Sequence, residues 1–226
     1  MQLSFEKQKE RAAQLAASQL QPNMRLGLGS GSTARYFIQA VASLEIASSL
    51  HFVASSCASY KLAQNLGLKL LPLEDCDSLD VAIDGADAVD SQGCLLKGFG
   101  AALTREKIVA SMAKEFWILV DERKRKINLP LDRLPCEILP CAYAFILLEI
   151  KKKGMSAVLR MQEKEKSPLI TDNGGWILDM DASQSSMDLP SLDLWLHSLP
   201  GLLETGLFLG FNIRLFDGSM KNQFLV

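Results

Sequence analysis

Three glycine-bearing stretches carry the residues whose types and spacing suit chemistry: GSGST at 29–33, DGAD at 84–87 and KGFGAALTREK at 97–107. The first lies between an apolar segment and a helical one. Its glycines let a ligand approach backbone N–H groups closely, and the helix that follows adds the partial positive charge of its N-terminus. Ser30, Ser32 and Thr33 around Gly31 add hydroxyl donors, so an anion such as phosphate fits. Alone, the stretch reads equally well as a tight strand-to-helix turn. Two nucleotide motifs are excluded. A P-loop needs a lysine before its Ser/Thr, and none is present. A dinucleotide fingerprint needs a third glycine where Ser32 stands and an acid ending the next strand, which here ends Ala54, Ser55, Ser56.

In DGAD, Asp84 and Asp87 flank Gly85 and Ala86 directly after the apolar run 81–83. The C-terminal end of a parallel strand is where such sheets bind ligands. The two carboxylates suit binding sugar hydroxyls, relaying protons or holding Mg²⁺; an Asp-rich turn is the plainer reading. The third stretch places Lys97 beside Gly98, Phe99 and Gly100, with Glu106 in the helix that follows. Lys97 suits stabilising a developing oxyanion, and Glu106 suits taking a carbon-bound proton once desolvated. Arg105 and Lys107 beside it fit a solvent-facing turn instead. Lys124, after the apolar strand 116–120, is a further strand-end cation, with a solvated basic turn as the simpler alternative.

The elements that must position these residues follow from periodicity. Ser4 caps a helix over about 5–20, broken by Pro22 and Asn23. Strands are expected at 24–28, 51–54, 68–73, 79–83 and 116–120, and helices at 33–44, 60–64 and 101–113. Apolar strands alternating with helices predict an α/β fold with a doubly wound, mainly parallel sheet. After Asn128 the texture changes. Pro130, Pro135 and Pro140 punctuate a short segment before a helix at 142–153. Strand-like pieces at 157–161, 169–170 and 176–180 surround a turn at 172–175, and a helix spans 192–199. This predicts two domains, 1–129 plus 207–226 and a small α+β unit at 130–206, with 207–215 returning to the first sheet. The charged runs 151–153 and 163–166 are expected on solvated faces.

The chain has 226 residues, 48% hydrophobic and 22% charged, with a net charge of −2. No basic stretch dominates, so neither nucleic acid nor anionic membrane is an expected partner. No apolar run is long enough to cross a bilayer. Charge within residues 5–9 argues against a secretory leader, and the expected location is cytoplasmic. The five cysteines form no CxxC pair and are expected as thiols.

Taken in order, GSGSTA, DGADAVD, KGFGAALTREKI, LPCEILP, ITDNGGWILD and LPGLLETGLF resemble type A ribose-5-phosphate isomerases over nearly the whole chain. The resemblance implies a Rossmann-like sheet with a smaller ferredoxin- or ACT-like α+β unit. It implies metal-free, cofactor-free interconversion of ribose 5-phosphate and ribulose 5-phosphate through an enediolate, in a homodimer of the non-oxidative pentose phosphate branch. By position, Glu106 matches the family's base, Asp84 the acid of ring opening and Lys97 the enediolate stabiliser. Asp87, Gly85, Ala86, Gly98, Phe99 and Gly100 match sugar-lining residues. Ser30, Gly31, Ser32, Thr33, Lys124 and Lys9 match the phosphate end. Phe99 stands where many members carry a small residue. A metal-dependent isomerase would want a His and carboxylate cluster, whereas this chain has two distant histidines, His51 and His197. Competing readings are a sugar-phosphate sensor, a coenzyme A transferase with Glu106 as nucleophile, and an isomerase of another sugar.

Overall fold

The alternation of apolar strands and helices forms a five-stranded, all-parallel sheet in a computed structural model that describes residues 3–162 and 166–219. Its strands are β1 (Arg25–Leu28), β2 (His51–Ala54), β3 (Leu79–Gly85), β6 (Ala113–Val120) and β12 (Ile213–Asp217), in the order β12-β6-β3-β1-β2. Three short strands, β4 (Ala88–Val89), β5 (Leu95–Leu96) and β11 (Leu207–Phe208), form a second sheet with β5 in the middle. A four-stranded antiparallel sheet contains β7 (Leu134–Ile138), β8 (Ser156–Leu159), β9 (Trp176–Asp181) and β10 (Leu202–Thr205). Six helices complete the set: α1 (Phe5–Ala17), α2 (Gly31–Ala42), α3 (Cys57–Asn65), α4 (Leu103–Ser111), α5 (Tyr143–Lys152) and α6 (Leu189–His197).

The parallel sheet is covered on both faces because β6 is apolar throughout its second half and alternates sides. Trp117 and Leu119 join the core under α1 and α2, while Phe116, Ile118 and Val120 join the core under α4. Ala12, Ala13, Ala16 and Ala17 are buried on one face of α1, and these small side chains let that helix pack closely on its neighbours. Ser4 caps α1 by accepting from the Lys7 N–H at 3.4 Å. No described helix is long and apolar enough to cross a membrane.

Four expectations need correction. The strand expected at 68–73 is reduced to one parallel bridge, Phe52 to Leu70. Pro72 has no N–H to extend the ladder, and a 3₁₀ turn at Leu73–Asp75 follows it. The proline-punctuated 130–140 segment contains β7, an interior strand of the antiparallel sheet. Pro135 lies opposite Asp179 of β9, beyond the last residue paired with β10, Cys136. The 207–215 return splits in two: Leu207–Phe208 pairs with β5, and Ile213–Asp217 reaches the parallel sheet beside β6. At 169–170 a single bridge, Ile170 to Trp176, stands in place of a strand. Residues 163–165 of the charged run, and 220–226 of the tail, lie outside the described residues.

Candidate active site

The C-terminal ends of three adjacent parallel strands converge. β1 runs into Gly29 and Ser30, β3 ends on Asp84 and Gly85, and the turn after β6 carries Lys124. Gly29 is required by this convergence: a Cβ there would stand 2.0 Å from Asp84 Cγ. Asp84 is buried, and its Oδ1 accepts the N–H groups of Ser30 at 3.0 Å and Gly85 at 2.7 Å. Its Oδ2 accepts from Lys97 Nζ at 2.9 Å.

Lys97 is equally buried and also donates to the Gly85 carbonyl at 2.6 Å. Its ammonium lies 3.2 Å from Glu106 Oε2, so one cation stands between two carboxylates. The Glu106 contact is an ion pair by distance only; its geometry is not that of a hydrogen bond, and Oε2 receives none from a described residue. Glu106 Oε1 accepts from the Ser30 hydroxyl. Helix α4 aims Glu106 inward because Leu103, Glu106, Val109 and Ala110 share its buried face. The solvent-facing reading of Glu106 is therefore overturned: the residue is 6% exposed. Burial, then the charge of Glu106, pushes the Asp84 carboxyl up to about 7 against the pull of Lys97. Burial opposes the charge of Lys97, but the carboxylates of Asp84 and Glu106 outweigh it and raise its pKa.

Helix α2 begins at Gly31, two residues earlier than the periodicity suggests. Ser30 occupies its N-cap position but makes no capping bond, since its hydroxyl is turned to Glu106. The first amides of α2 thus face the cleft without a side-chain cap, which suits an anion. Lys9 of α1 reaches the same loop, its Nζ 3.2 Å from Ser32 Oγ and 2.7 Å from Glu6. Lys124 lies 3.8 Å from Asp87 Oδ1.

One cleft is lined by Ser30, Gly31, Ser32, Thr33, Asp84, Gly85, Ala86, Asp87, Lys97, Gly98, Gly100, Glu106 and Lys124. The structure brings together in this cleft the site residues expected from the sequence, except Lys9, which meets it only through Ser32, and the Phe99 side chain. That ring is 39% exposed and stacks on the Arg133 guanidinium at 4.5 Å, while the Phe99 N–H donates to Asp87 at 2.9 Å. Sequence reasoning missed the Ser30–Glu106 bond and the side chains that hold the loops from behind. Glu137 of β7 accepts from Thr104 and Thr171, and Arg160 contacts the Gly98 and Phe99 carbonyls. These pairs are 33 to 62 residues apart, so no local pattern exposes them.

The sequence model of ribose 5-phosphate isomerase A (phosphoriboisomerase A) matches residues 51–221. The chain belongs to this family. Curated members named ribose-5-phosphate isomerase A include one from Prochlorococcus marinus, 38% identical, covering 95% of this chain and 93% of its own. One from Synechococcus is 40% identical, covering 95% and 94%. A solved D-ribose-5-phosphate isomerase in complex with phospho-erythronic acid superposes with a TM-score of 0.88 at 36% identity, covering 95% of this chain and 96% of its own. The family's Methanocaldococcus jannaschii structure gives 0.86 at 31%, covering 95% of each chain.

Proposed function

We propose that the cleft interconverts ribose 5-phosphate and ribulose 5-phosphate through an enediolate, without metal, with the roles divided among its three loops. The chain is a ribose-5-phosphate isomerase by family. The observation that carries the mechanism is the buried Asp84–Lys97–Glu106 cluster, in which one ammonium is shared by two carboxylates. Glu106 removes the C2 proton of the open-chain aldose and returns it to C1. The electron pair left behind forms the C1–C2 double bond as the carbonyl oxygen gains charge, and Lys97 stabilises that oxygen. Asp84, with a pKa near 7, exchanges protons with the sugar hydroxyl during ring opening, then takes the C2 hydroxyl proton as C2 becomes the ketone and delivers a proton to the C1 oxygen. Its acceptor positions are already held by two N–H groups and an ammonium, an arrangement that suits hydroxyl chemistry better than cation ligation. The uncapped start of α2, Ser32, Thr33, Lys9 and Lys124 hold the phosphate. Asp87, Gly85, Ala86, Gly98, Phe99 and Gly100 border the sugar, Phe99 through its backbone.

The same proposal takes residues 1–129 plus 207–226 and 130–206 as two units, each with its own sheet. It takes the protein as a cytoplasmic homodimer. Exposed Phe145, Leu148, Val158, Ile170 and Leu194 support self-association, which sedimentation checks.

Purified protein mixed with ribose 5-phosphate, with and without EDTA, tests the mechanism. Ketose should form equally in both. Absence of turnover in both samples rejects the isomerase reading, and loss only with EDTA rejects metal-free chemistry.

A further inference from the structure

Arg160 follows β8 and is absent from the cleft lining, yet it is buried, with 9% of its surface exposed. Burying a guanidinium is costly unless its donors are met. Here they are met on two sides. Nε donates to Asp179 Oδ2 at 2.9 Å and NH2 to Asp179 Oδ1. NH1 donates to the carbonyls of Gly98 at 2.9 Å and Phe99 at 3.1 Å. Asp179 on β9 is also 3.2 Å from Arg133, whose guanidinium stacks on the Phe99 ring. Burial works against the Asp179 carboxylate, but its bonds to Arg160 and Arg133 win and hold its pKa below the usual range.

The loop that receives these bonds bears on the chemistry. Gly98 has φ +103, a conformation that disfavours other residues, and its position would bring a Cβ to 3.0 Å from Pro135. Loops rich in glycine are mobile unless tied down. Lys97 immediately precedes the tied carbonyls, and the Phe99 N–H between them donates to Asp87. Two successive carbonyls are thus fixed from the antiparallel sheet, while the amide between them is fixed by a cleft carboxylate.

We propose that Arg160 is a positioning residue for the isomerase reaction: by clasping the Gly98 and Phe99 carbonyls it sets the places of the Lys97 ammonium and the Asp87 carboxylate against the sugar. The inference rests on the isomerase reading of the cleft. It also distinguishes Arg160 from an ordinary ion-pair residue, because an ion pair needs only charge. The planar fork of arginine spans the carboxylate and both carbonyls, whereas a lysine ammonium at the same place cannot.

Arg160→Lys and Arg160→Ala test this. Misplacing the loop should lower kcat by about tenfold or more in both. KM should rise by less than kcat falls, because Asp87 shifts against the sugar while the phosphate loop at 31–33 keeps its place. Millimolar guanidinium should restore kcat of Arg160→Ala by at least about threefold, and ammonium should not. Hydrogen exchange at the Phe99 amide should quicken about tenfold while the amides of β3 keep their protection. If Arg160→Ala does not fold, Arg160→Lys decides alone. A kcat within about twofold of wild type in Arg160→Lys, or unaltered Phe99 exchange, overturns the clasp. Failure of the wild type to turn over ribose 5-phosphate overturns the isomerase reading instead, and the exchange measurement still judges the clasp.

Discussion

Glu106 and Lys107 are neighbours on α4, yet each enters a different charged cluster, one buried and the other half-buried. On the cleft side, two carboxylates share the single ammonium of Lys97, and Glu106 Oε2 receives no hydrogen bond from a described residue. On the other side, Lys107 donates to Glu204 at 2.6 Å and to the Leu207 carbonyl at 2.7 Å. Glu204 is met again by His197 Nε2 and by the Thr205 N–H, at 2.9 and 2.8 Å. The two carboxylates respond in opposite directions. Asp84 rises to about 7, because burial and Glu106 outweigh Lys97. Glu204 falls to about 2, because His197 and Lys107 overcome the desolvation of its partial burial. Each carboxylate accepts from three donors, so donor number does not separate them. Burial and neighbouring charge do, because fully buried Asp84 shares one ammonium with a second carboxylate whereas half-buried Glu204 has both Lys107 and His197. A cluster with excess negative charge can exchange protons, and a charge-compensated one holds α4 against β10.

The sharpest break between the two clusters is Glu106→Gln. It removes the proton acceptor while keeping size and most polar contacts. We expect kcat to fall by at least about 10³-fold, with KM little changed. Near-wild-type turnover would place the base elsewhere and dissolve the contrast.

Gly29→Ala disturbs the same cluster by volume instead of charge. The added Cβ would stand 2.0 Å from Asp84 Cγ, so the carboxylate must move away from Lys97. A loss of about 10² in kcat and about 1–3 kcal/mol of stability is expected. Gly27→Ala is the control, since two residues back on β1 its Cβ would crowd Val109 Cγ1 at 2.3 Å instead of Asp84. It should lose stability while kcat of the folded protein stays within about threefold; equal losses of kcat in both variants would show that crowding of Asp84 is not the cause.

Much of this contrast was readable in the sequence and part was not. The strand ends and glycines around Ser30, Asp84 and Lys97 are local, and the parallel sheet brings them together as expected. Glu106 was legible as a candidate, but its inward aim depends on Leu103 and Val109 sharing its face against the sheet, which the charged run TREK at 104–107 does not disclose. β7 was obscured because Pro135 reads as a strand breaker, and it is tolerated only where pairing with β10 has ended. Arg160, Glu137 and Glu204 meet partners across the fold, so their roles are set by tertiary packing.

Lys107→Met tests the charge-compensated cluster. It leaves Glu204 with His197 and the Thr205 N–H and should cost about 2–4 kcal/mol, read by denaturant unfolding, with kcat of the folded protein nearly unchanged. Its pH dependence has a definite sign. Glu204 is depressed from 4.5 to about 2, so its contribution is present above 4.5 and lost as pH falls through about 2. His197 is raised above 6.5 by Glu204, so its contribution is present below 6.5 and lost as pH rises through its folded pKa. Glu204→Gln should flatten the melting temperature between pH 4.5 and 2. A steep acid limb retained in that variant would locate the stabilising carboxylate elsewhere.

The smallest effect belongs to the rim of the cleft, where neither kind of cluster operates. Ser32 is exposed at the first turn of α2 and its hydroxyl accepts from Lys9 Nζ at 3.2 Å. A phosphate held there is far from the reacting carbons and is bound alike in the ground and transition states. Uniform binding of this kind sets KM and leaves kcat alone. Losing one hydrogen bond of about 1 kcal/mol predicts a KM about fivefold higher for Ser32→Ala, with kcat within about twofold. The Glu106 and Ser32 variants thereby separate the two axes of the kinetics, one moving kcat and the other KM. A Ser32→Ala enzyme that lost kcat would instead tie the phosphate loop to the Ser30–Glu106 bond two residues away, making the rim part of the proton-transfer machinery.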